Sequence, residues 1–190
     1  AKLKTVHKIG GTTTTTDYCG NVIYENGVQK LLLTEEGYVT LSDGKYHYYL
    51  KDHQGNNRVV INQSGTVEEA NHYYPFGGVF ASSGNVQPYK YNGKEYDGKK
   101  GLNWYDYGAR MYDAALGRFM TVDPLAEKYY PMSPYGYCLN NPIKFIDADG
   151  RLPRIYIERK GFGHAFVTVG NGDNTIVYTY GRYGELGKDK

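Results

Sequence analysis

Between Tyr46 and Val67 the chain alternates large and polar side chains in short runs, each cut by residues that favour turns. Tyr46-His47-Tyr48-Tyr49-Leu50-Lys51 reads as a strand, and Asp52-His53-Gln54-Gly55-Asn56 as a tight turn. Asn57 to Ile61 is a β-branched return strand, and Ser64-Gly65 turns the chain into the next one. A period of two places alternate residues on opposite faces of a sheet, so each strand buries one face. A fainter copy runs from Gly20-Asn21-Val22-Ile23-Tyr24 to Gly27-Val28. Repeated hairpins of this kind bury their faces only against neighbours, which predicts a stack.

Further along, Asn92-Gly93 and Asp97-Gly98 supply residues that accept positive φ and predict two more hairpin turns. Ala81 to Gln87, with its Ser-Ser-Gly-Asn run, reads as a loop. Helix signals are sparse. Ala114 to Gly117 is one short candidate, and Pro124 to Tyr129 behind an Asp123 N-cap is the other. After Gly150 the character changes. Arg151-Leu152-Pro153 is a junction, Ile155 to Lys160 a strand and Gly161-Phe162-Gly163 a turn. His164 to Val169 and Thr175 to Tyr180 then form a hairpin around Asn171-Gly172-Asp173. This tail of about 40 residues is near the lower limit for folding alone.

Composition agrees with β-structure. Among 190 residues there are 22 Tyr against 6 Phe and 1 Trp, with 25 Gly and 7 Pro. Tyrosine buries its ring on a pleated surface and keeps its hydroxyl at a wet or hydrogen-bonded edge. The net charge of +2 comes from 22 basic and 20 acidic residues that are interspersed. No basic face for nucleic acid is expected, since Lys99-Lys100 and Lys188 to Lys190 are local clusters. Cys19 and Cys138 form no CxxC pattern, which argues against zinc and leaves a disulfide open. No apolar run approaches the ~20 residues of a membrane span, and AKLKTVHKIG has no signal-peptide core. Because the first residue is not Met, an excised piece of a longer chain is expected.

Two aspartates stand beside turn residues: Asp123 before Pro124, and Asp147 between Pro142 and Gly150. Two carboxyl groups held close together share a proton, and such a pair activates water against an amide. Asp before Pro and in Asp-x-x-Gly also serves simply as a cap or Asx-turn former. Asp147 and Asp149 supply half of a calcium loop, but Arg151, Leu152 and Pro153 follow, and Glu158 is the first carboxylate after Gly150. No metal site is assigned.

The order of several motifs adds a family resemblance. Tyr73-Tyr74-Pro75-Phe76-Gly77 and Tyr89-Lys90-Tyr91-Asn92-Gly93-Lys94-Glu95-Tyr96-Asp97 come first. Tyr105, Gly108, Arg110, Tyr112, Asp113, Gly117, Arg118, Phe119, Asp123, Pro124, Pro134, Tyr135, Tyr137, Asn140, Asn141, Pro142, Asp147 and Gly150 follow. From Tyr46 to Gly150 the chain resembles the core region that ends the repeat array of RHS/YD-repeat proteins, the polymorphic toxins and toxin-complex shells.

The resemblance implies a mainly β fold: YD-repeat hairpins forming part of a β-shell, short helices in the core region and a small β-rich C-terminal tail. Residues 1–72 would be degenerate repeat hairpins, 73–150 the core, and 151–190 the start of a variable effector-like region. It implies a segment that caps the shell and cleaves itself after the core to release a C-terminal toxin. Asp123 and Asp147 would be the dyad of this single-turnover aspartyl autoprotease, and Arg118 would orient a carboxylate or stabilise the oxyanion. The family's Asp-Pro-x-Gly-Leu is here Asp147-Ala148-Asp149-Gly150-Arg151, so the expected bond lies among Arg151, Leu152 and Pro153.

No cofactor is implied. The implied partners are the rest of the shell, the effector and an immunity protein, in a secreted or cell-surface protein. Two alternatives stay open. One is a non-catalytic shell or surface-interaction protein. The other is a tail that begins a truncated papain-like toxin domain, because Gly163-His164-Ala165-Phe166-Val167 resembles that group's histidine motif. His164 would then need a cysteine farther along, and none follows Cys138.

Overall fold

The computed structural model describes residues 2–128 and 131–151, and beyond them the backbone of Ile155–Tyr156, Ala165–Val169 and Ile176–Tyr180. Its largest element is a nine-stranded antiparallel meander in sequence order: β1 (Lys4–Ile9), β2 (Thr12–Cys19), β3 (Val22–Glu25), β4 (Val28–Leu33), β5 (Gly37–Thr40), β6 (Lys45–Lys51), β7 (Asn57–Asn62), β8 (Val67–Tyr73) and β9 (Val79–Ser83). Turn chemistry fixes the order. Between β3 and β4, Asn26 and Gly27 both have positive φ (51° and 80°), the geometry a two-residue hairpin of matching twist requires.

The repeat unit at Tyr46 folds as its pattern predicts, with β6, β7 and β8 paired antiparallel and the register shifting once in each pair, at Leu50/Lys51 and at Val60/Ile61. Asp52 organises its turn. Oδ1 accepts from the backbone N–H groups of Gln54 and Asn56 at 3.0 and 3.1 Å, and Oδ2 accepts from Asn56 Nδ2 at 2.8 Å and Arg58 Nε at 2.7 Å. The loop expected over Ala81 to Gln87 is partly strand. His72 pairs with Ala81 and Ala70 with Ser83, so β9 owes its form to the neighbouring strand rather than to its own residues.

A smaller antiparallel sheet holds β10 (Glu95–Asp97), β11 (Trp104–Asp106), β12 (Met111–Asp113) and β13 (Arg118–Phe119). Ala114 to Gly117, expected to be helical, is instead the turn between β12 and β13. Asp113 Oδ1 takes the N–H groups of Ala115 and Leu116 at 2.8 and 3.1 Å, leaving no room for a second helical turn. The Pro124 segment is reduced to a 3-10 turn at Ala126–Lys128. Phe145–Ile146 forms β14 and pairs with β15 (Ile155–Tyr156), while β16 (Ala165–Val169) pairs with β17 (Ile176–Tyr180). The cysteines are both free, Cys19 exposed and Cys138 buried.

The tyrosines explain how a chain so poor in Phe builds its main core. Tyr73, Tyr91, Tyr105, Tyr107, Tyr112 and Tyr137 are buried together with Phe119 and Cys138. The hydroxyls of Tyr73, Tyr91, Tyr105 and Tyr112 end on backbone carbonyls. Those of Tyr91, Tyr112 and Tyr105 donate to Pro75, Phe76 and Gly77 at 2.7, 2.8 and 2.9 Å, three consecutive carbonyls of one turn. Gly77 sits at φ 87°, and a Cβ there would lie 2.6 Å from the Tyr91 ring.

A second core of Ile23, Leu31, Tyr38 and Val60 packs within the large sheet. Polar layers join the two regions. Asn92 accepts the hydroxyls of Tyr107 and Tyr137 on Oδ1, each at 2.8 Å, while its backbone N–H donates to Asn56 Oδ1 at 2.7 Å. Gln54 donates to the carbonyl of Ile143 at 3.0 Å, so the repeat's turn docks on the loop that leads to Asp147.

Candidate functional site

Asp123 follows β13 and Asp147 follows β14, and the arginine that reaches both is Arg110. It ends the Gly108-Ala109-Arg110 turn before β12. Its Nη2 lies 2.7 Å from Asp123 Oδ2 and 3.7 Å from Asp147 Oδ2. The two carboxylates are therefore no farther apart than those distances laid end to end. Arg110 Nη1 donates to the Pro134 carbonyl at 3.0 Å, Nε donates to the Gly150 carbonyl, and Cζ sits 3.7 Å above the Phe119 ring. Every donor edge of the guanidinium is thus used in a dry setting, where a planar fork suits the task.

Arg118, which the resemblance put beside the carboxylates, is exposed on β13 opposite Asp113. Strand alternation accounts for the difference. Phe119 is fully buried, so its neighbour Arg118 points to the other face. Arg110 carried part of the resemblance but no role. The signal that marks it is its place in a tight turn one strand before Phe119.

The aspartates differ in setting. Asp123 caps the turn after it, Oδ1 accepting the Leu125 N–H at 2.7 Å while Oδ2 pairs with Arg110. Asp147 is wholly buried. Its Oδ1 gathers the N–H groups of Asp149, Gly150 and Arg151 at 3.2, 2.8 and 3.2 Å. Among the described residues Oδ2 has no hydrogen-bond partner. Burial pushes the Asp147 carboxyl above its ordinary range, against the opposing pull of those N–H groups and of Arg110. With no hydrogen bond on Oδ2 and the Arg110 guanidinium 3.7 Å away, this buried oxygen is a costly place for a charge.

The loop beneath the site is strained. Cys138, Leu139 and Asn140 all have positive φ (48°, 51° and 59°), a run in which each residue carries a left-handed penalty. The Cys138 thiol lies against the Asp147 backbone, and burial pushes it up to about 12. Asn141 Oδ1 accepts the Lys144 N–H at 3.3 Å, the amide-tied turn expected of Asn140-Asn141-Pro142. Gly150 is required by its φ of 75° and by the backbone N of Arg110, 3.1 Å from where a Cβ would stand.

Arg151 is exposed, and its N–H donates to Asp149 Oδ1 at 3.1 Å as well as to Asp147. Leu152, Pro153 and His164 lie outside the described residues.

Comparison with known proteins gives the site a context. The family model described as Teneurin YD-shell matches residues 28–143. Salivary gland surface protein 1 of Aedes aegypti is 40% identical over 114 residues, covering 58% of this chain and 3% of that protein. Toxin subunit YenC2 of Yersinia entomophaga is 35% identical over 104 residues, covering 52% of this chain and 10% of that one. Among solved structures, the crystal structure of TcdB2-TccC3-Cdc42 superposes with a TM-score of 0.65 at 21% identity, covering 78% of this chain and 8% of that chain. The fold is shared, and this chain spans a tenth or less of the length of each of these proteins.

Proposed function

Because the chain belongs to the Teneurin YD-shell family, we propose that it forms the closing end of a YD-repeat shell and hydrolyses one bond of its own chain there, within residues 151–153. The observation that carries the cleavage reading is the asymmetry of the two aspartates around Arg110. Asp147 is buried with its carboxyl pushed above its ordinary range, Asp123 is the partner of the guanidinium, and the backbone passes directly from Asp147 to Arg151. Two carboxyl groups in unlike settings divide into an acid and a base.

In the step, Asp123 accepts a proton from water and the water oxygen adds to the carbonyl carbon of the bond cut. The C–N bond then breaks while Asp147 gives its proton to the leaving nitrogen. One water is consumed. A new carboxyl group ends the core and a new amine begins the tail. Arg110 holds the acid and the base in place throughout.

The shell itself rests on the sheet. Among the described residues β1 and β9 each have one strand neighbour, and every residue of β9 is exposed. Tyr46, Tyr48 and Leu50 project from β6 into solvent. Unpaired edges and apolar sheet positions of this kind are met by further strands of a larger shell. These edges and positions support the remainder of the shell as a partner, and the proposal extends to a C-terminal effector and an immunity protein guarding the producer. A secreted or surface setting accords with relatives named as a salivary gland surface protein and a toxin subunit.

The test compares the full-length parent with its Asp147→Asn and Asp123→Asn variants on a denaturing gel. Two fragments are expected from the parent and one intact band from each variant. A second reading, a non-catalytic closing element, is favoured by the three N–H groups that Asp147 Oδ1 already serves. An uncleaved parent selects it.

A further inference from the structure

Away from Asp147, three side chains able to react with one another are buried together. Lys90 is 5% exposed, Asn71 2% and Glu69 not at all. Glu69 and Asn71 stand two residues apart on β8 and so share its buried face, while Lys90 leads into the Asn92-Gly93 turn. All three meet at one atom. Glu69 Oε1 accepts from Lys90 Nζ and, at 2.6 Å, from Asn71 Nδ2. The amine and the amide nitrogen are therefore no more than two hydrogen bonds apart, with a carboxylate oxygen between them.

The surroundings hold this arrangement in place. Glu69 Oε2 takes the Val86 N–H at 2.8 Å, which fixes the carboxylate from its other side. A second amide, Gln87, donates to Glu69 Oε1 at a longer 3.1 Å, and its own oxygen is already held by the Tyr49 hydroxyl and the Tyr89 N–H. Asn71 is the closer acyl group. Burial pulls the Lys90 ammonium below its ordinary range, against the attraction of Glu69, and so favours the neutral amine, which is the nucleophilic form.

We propose that Lys90 and Asn71 close an isopeptide bond, with Glu69 as the catalytic residue that moves the protons. The proposal is independent of the cleavage reading. Glu69 Oε1 takes a proton from the Lys90 ammonium, and the electron pair freed on Nζ adds to Asn71 Cγ. The Cγ–Nδ2 bond then breaks as Nδ2 receives, through Glu69, the second proton that Nζ gives up. Ammonia leaves, and Glu69 keeps the first proton. Nothing is oxidised or reduced. A buried ion pair gives way to a neutral amide and a neutral carboxyl, which removes the cost of holding two charges away from water. The bond closes residues 71–90 into a loop that persists after unfolding, a staple between the repeat sheet and the segment that enters the tyrosine core.

The experiment is a peptide map of the full-length parent, denatured and digested with trypsin. No Lys or Arg lies between Arg58 and Lys90, so an unmodified chain releases peptide 59–90. An acylated Lys90 is not cut. The expected product is peptide 59–94, lighter than its sequence by one ammonia. Chymotrypsin, cutting after Tyr73, Phe76 and Phe80, should leave the piece that holds Asn71 attached to the piece that holds Lys90. Glu69→Gln keeps the shape of the side chain without its base and should release peptide 59–90 at its full mass.

Peptide 59–90 at full mass from the parent overturns the proposal. So does loss of ammonia with Lys90 still cut, which marks a succinimide at an asparagine. Pieces that separate after chymotrypsin put the bond at Gln87 and overturn the assignment to Asn71. Tied pieces from Glu69→Gln overturn the role of Glu69.

Discussion

Removing Glu69 should destabilise the fold more than removing any surface charge, and the reason lies in what it leaves behind. Glu69 stands on β8 with no exposure, and Lys90, also buried, leads into the Asn92-Gly93 turn. Glu69 Oε1 accepts from Lys90 Nζ, from Asn71 Nδ2 at 2.6 Å and from Gln87 Nε2 at 3.1 Å, while Oε2 takes the Val86 N–H at 2.8 Å. Burial already pushes the Lys90 ammonium below its ordinary range, with Glu69 as the opposing influence. Glu69→Ala strands that ammonium and three neutral donors. Breaking a buried pair from one side costs about 3–5 kcal/mol. For a chain of this size that corresponds to a fall in Tm of roughly 10 °C.

Glu69→Leu combined with Lys90→Met removes both charges and should recover most of that pairwise loss. Urea unfolding at pH 7 measures all three variants, with equal slopes showing that only stability has changed. A loss under about 1 kcal/mol in Glu69→Ala, or a double variant no better than the single, refutes the reasoning.

Other predictions concern the tyrosine core and the titrating groups. Tyr112→Phe leaves the Phe76 carbonyl without its hydroxyl and should lower stability by about 1–2 kcal/mol in the same urea assay. Gly77→Ala should cost more than that, because the φ is unfavourable and the Tyr91 ring occupies the space; a neutral result would contradict the turn geometry. Iodoacetamide at pH 8 should label Cys19 in the native protein, and Cys138 only after urea is added, as intact mass would show.

Asp147 binds its proton more tightly folded than unfolded, so its contribution to stability is present at low pH. That contribution falls as pH rises from about 4, the unfolded value, through the raised folded one. Asp147→Asn should flatten that part of the stability curve, and an unchanged slope in urea titrations between pH 3 and 7 would count against a buried carboxyl.

The parts of the fold that could be read in advance are those whose information is local. Asp52, Gly55 and Asn56 spell out a turn, and the alternation on either side sets the faces of β6 and β7, so the repeat unit was legible residue by residue. Ala81 to Ser83 carry loop-forming residues and become strand only because β8 offers its edge. Ala114 to Gly117 hold helix-forming residues that Asp113 closes into a turn.

At the site, Asp123 and Asp147 stand out by their neighbours Pro124 and Gly150. The arginine does not, because Arg118 lies nearer in sequence and only the burial of Phe119 turns it away. Lys94 was visible as part of a motif, yet its contact with Ala148 spans a separation that no short pattern encodes.

The most direct test of the account is the intact mass of the full-length parent followed from synthesis onward. The account predicts two species whose masses add up to the parent plus one water, with the boundary within residues 151–153 and no such pair in Asp147→Asn. A single uncleaved mass, a boundary elsewhere, or the same two fragments from Asp147→Asn would contradict it.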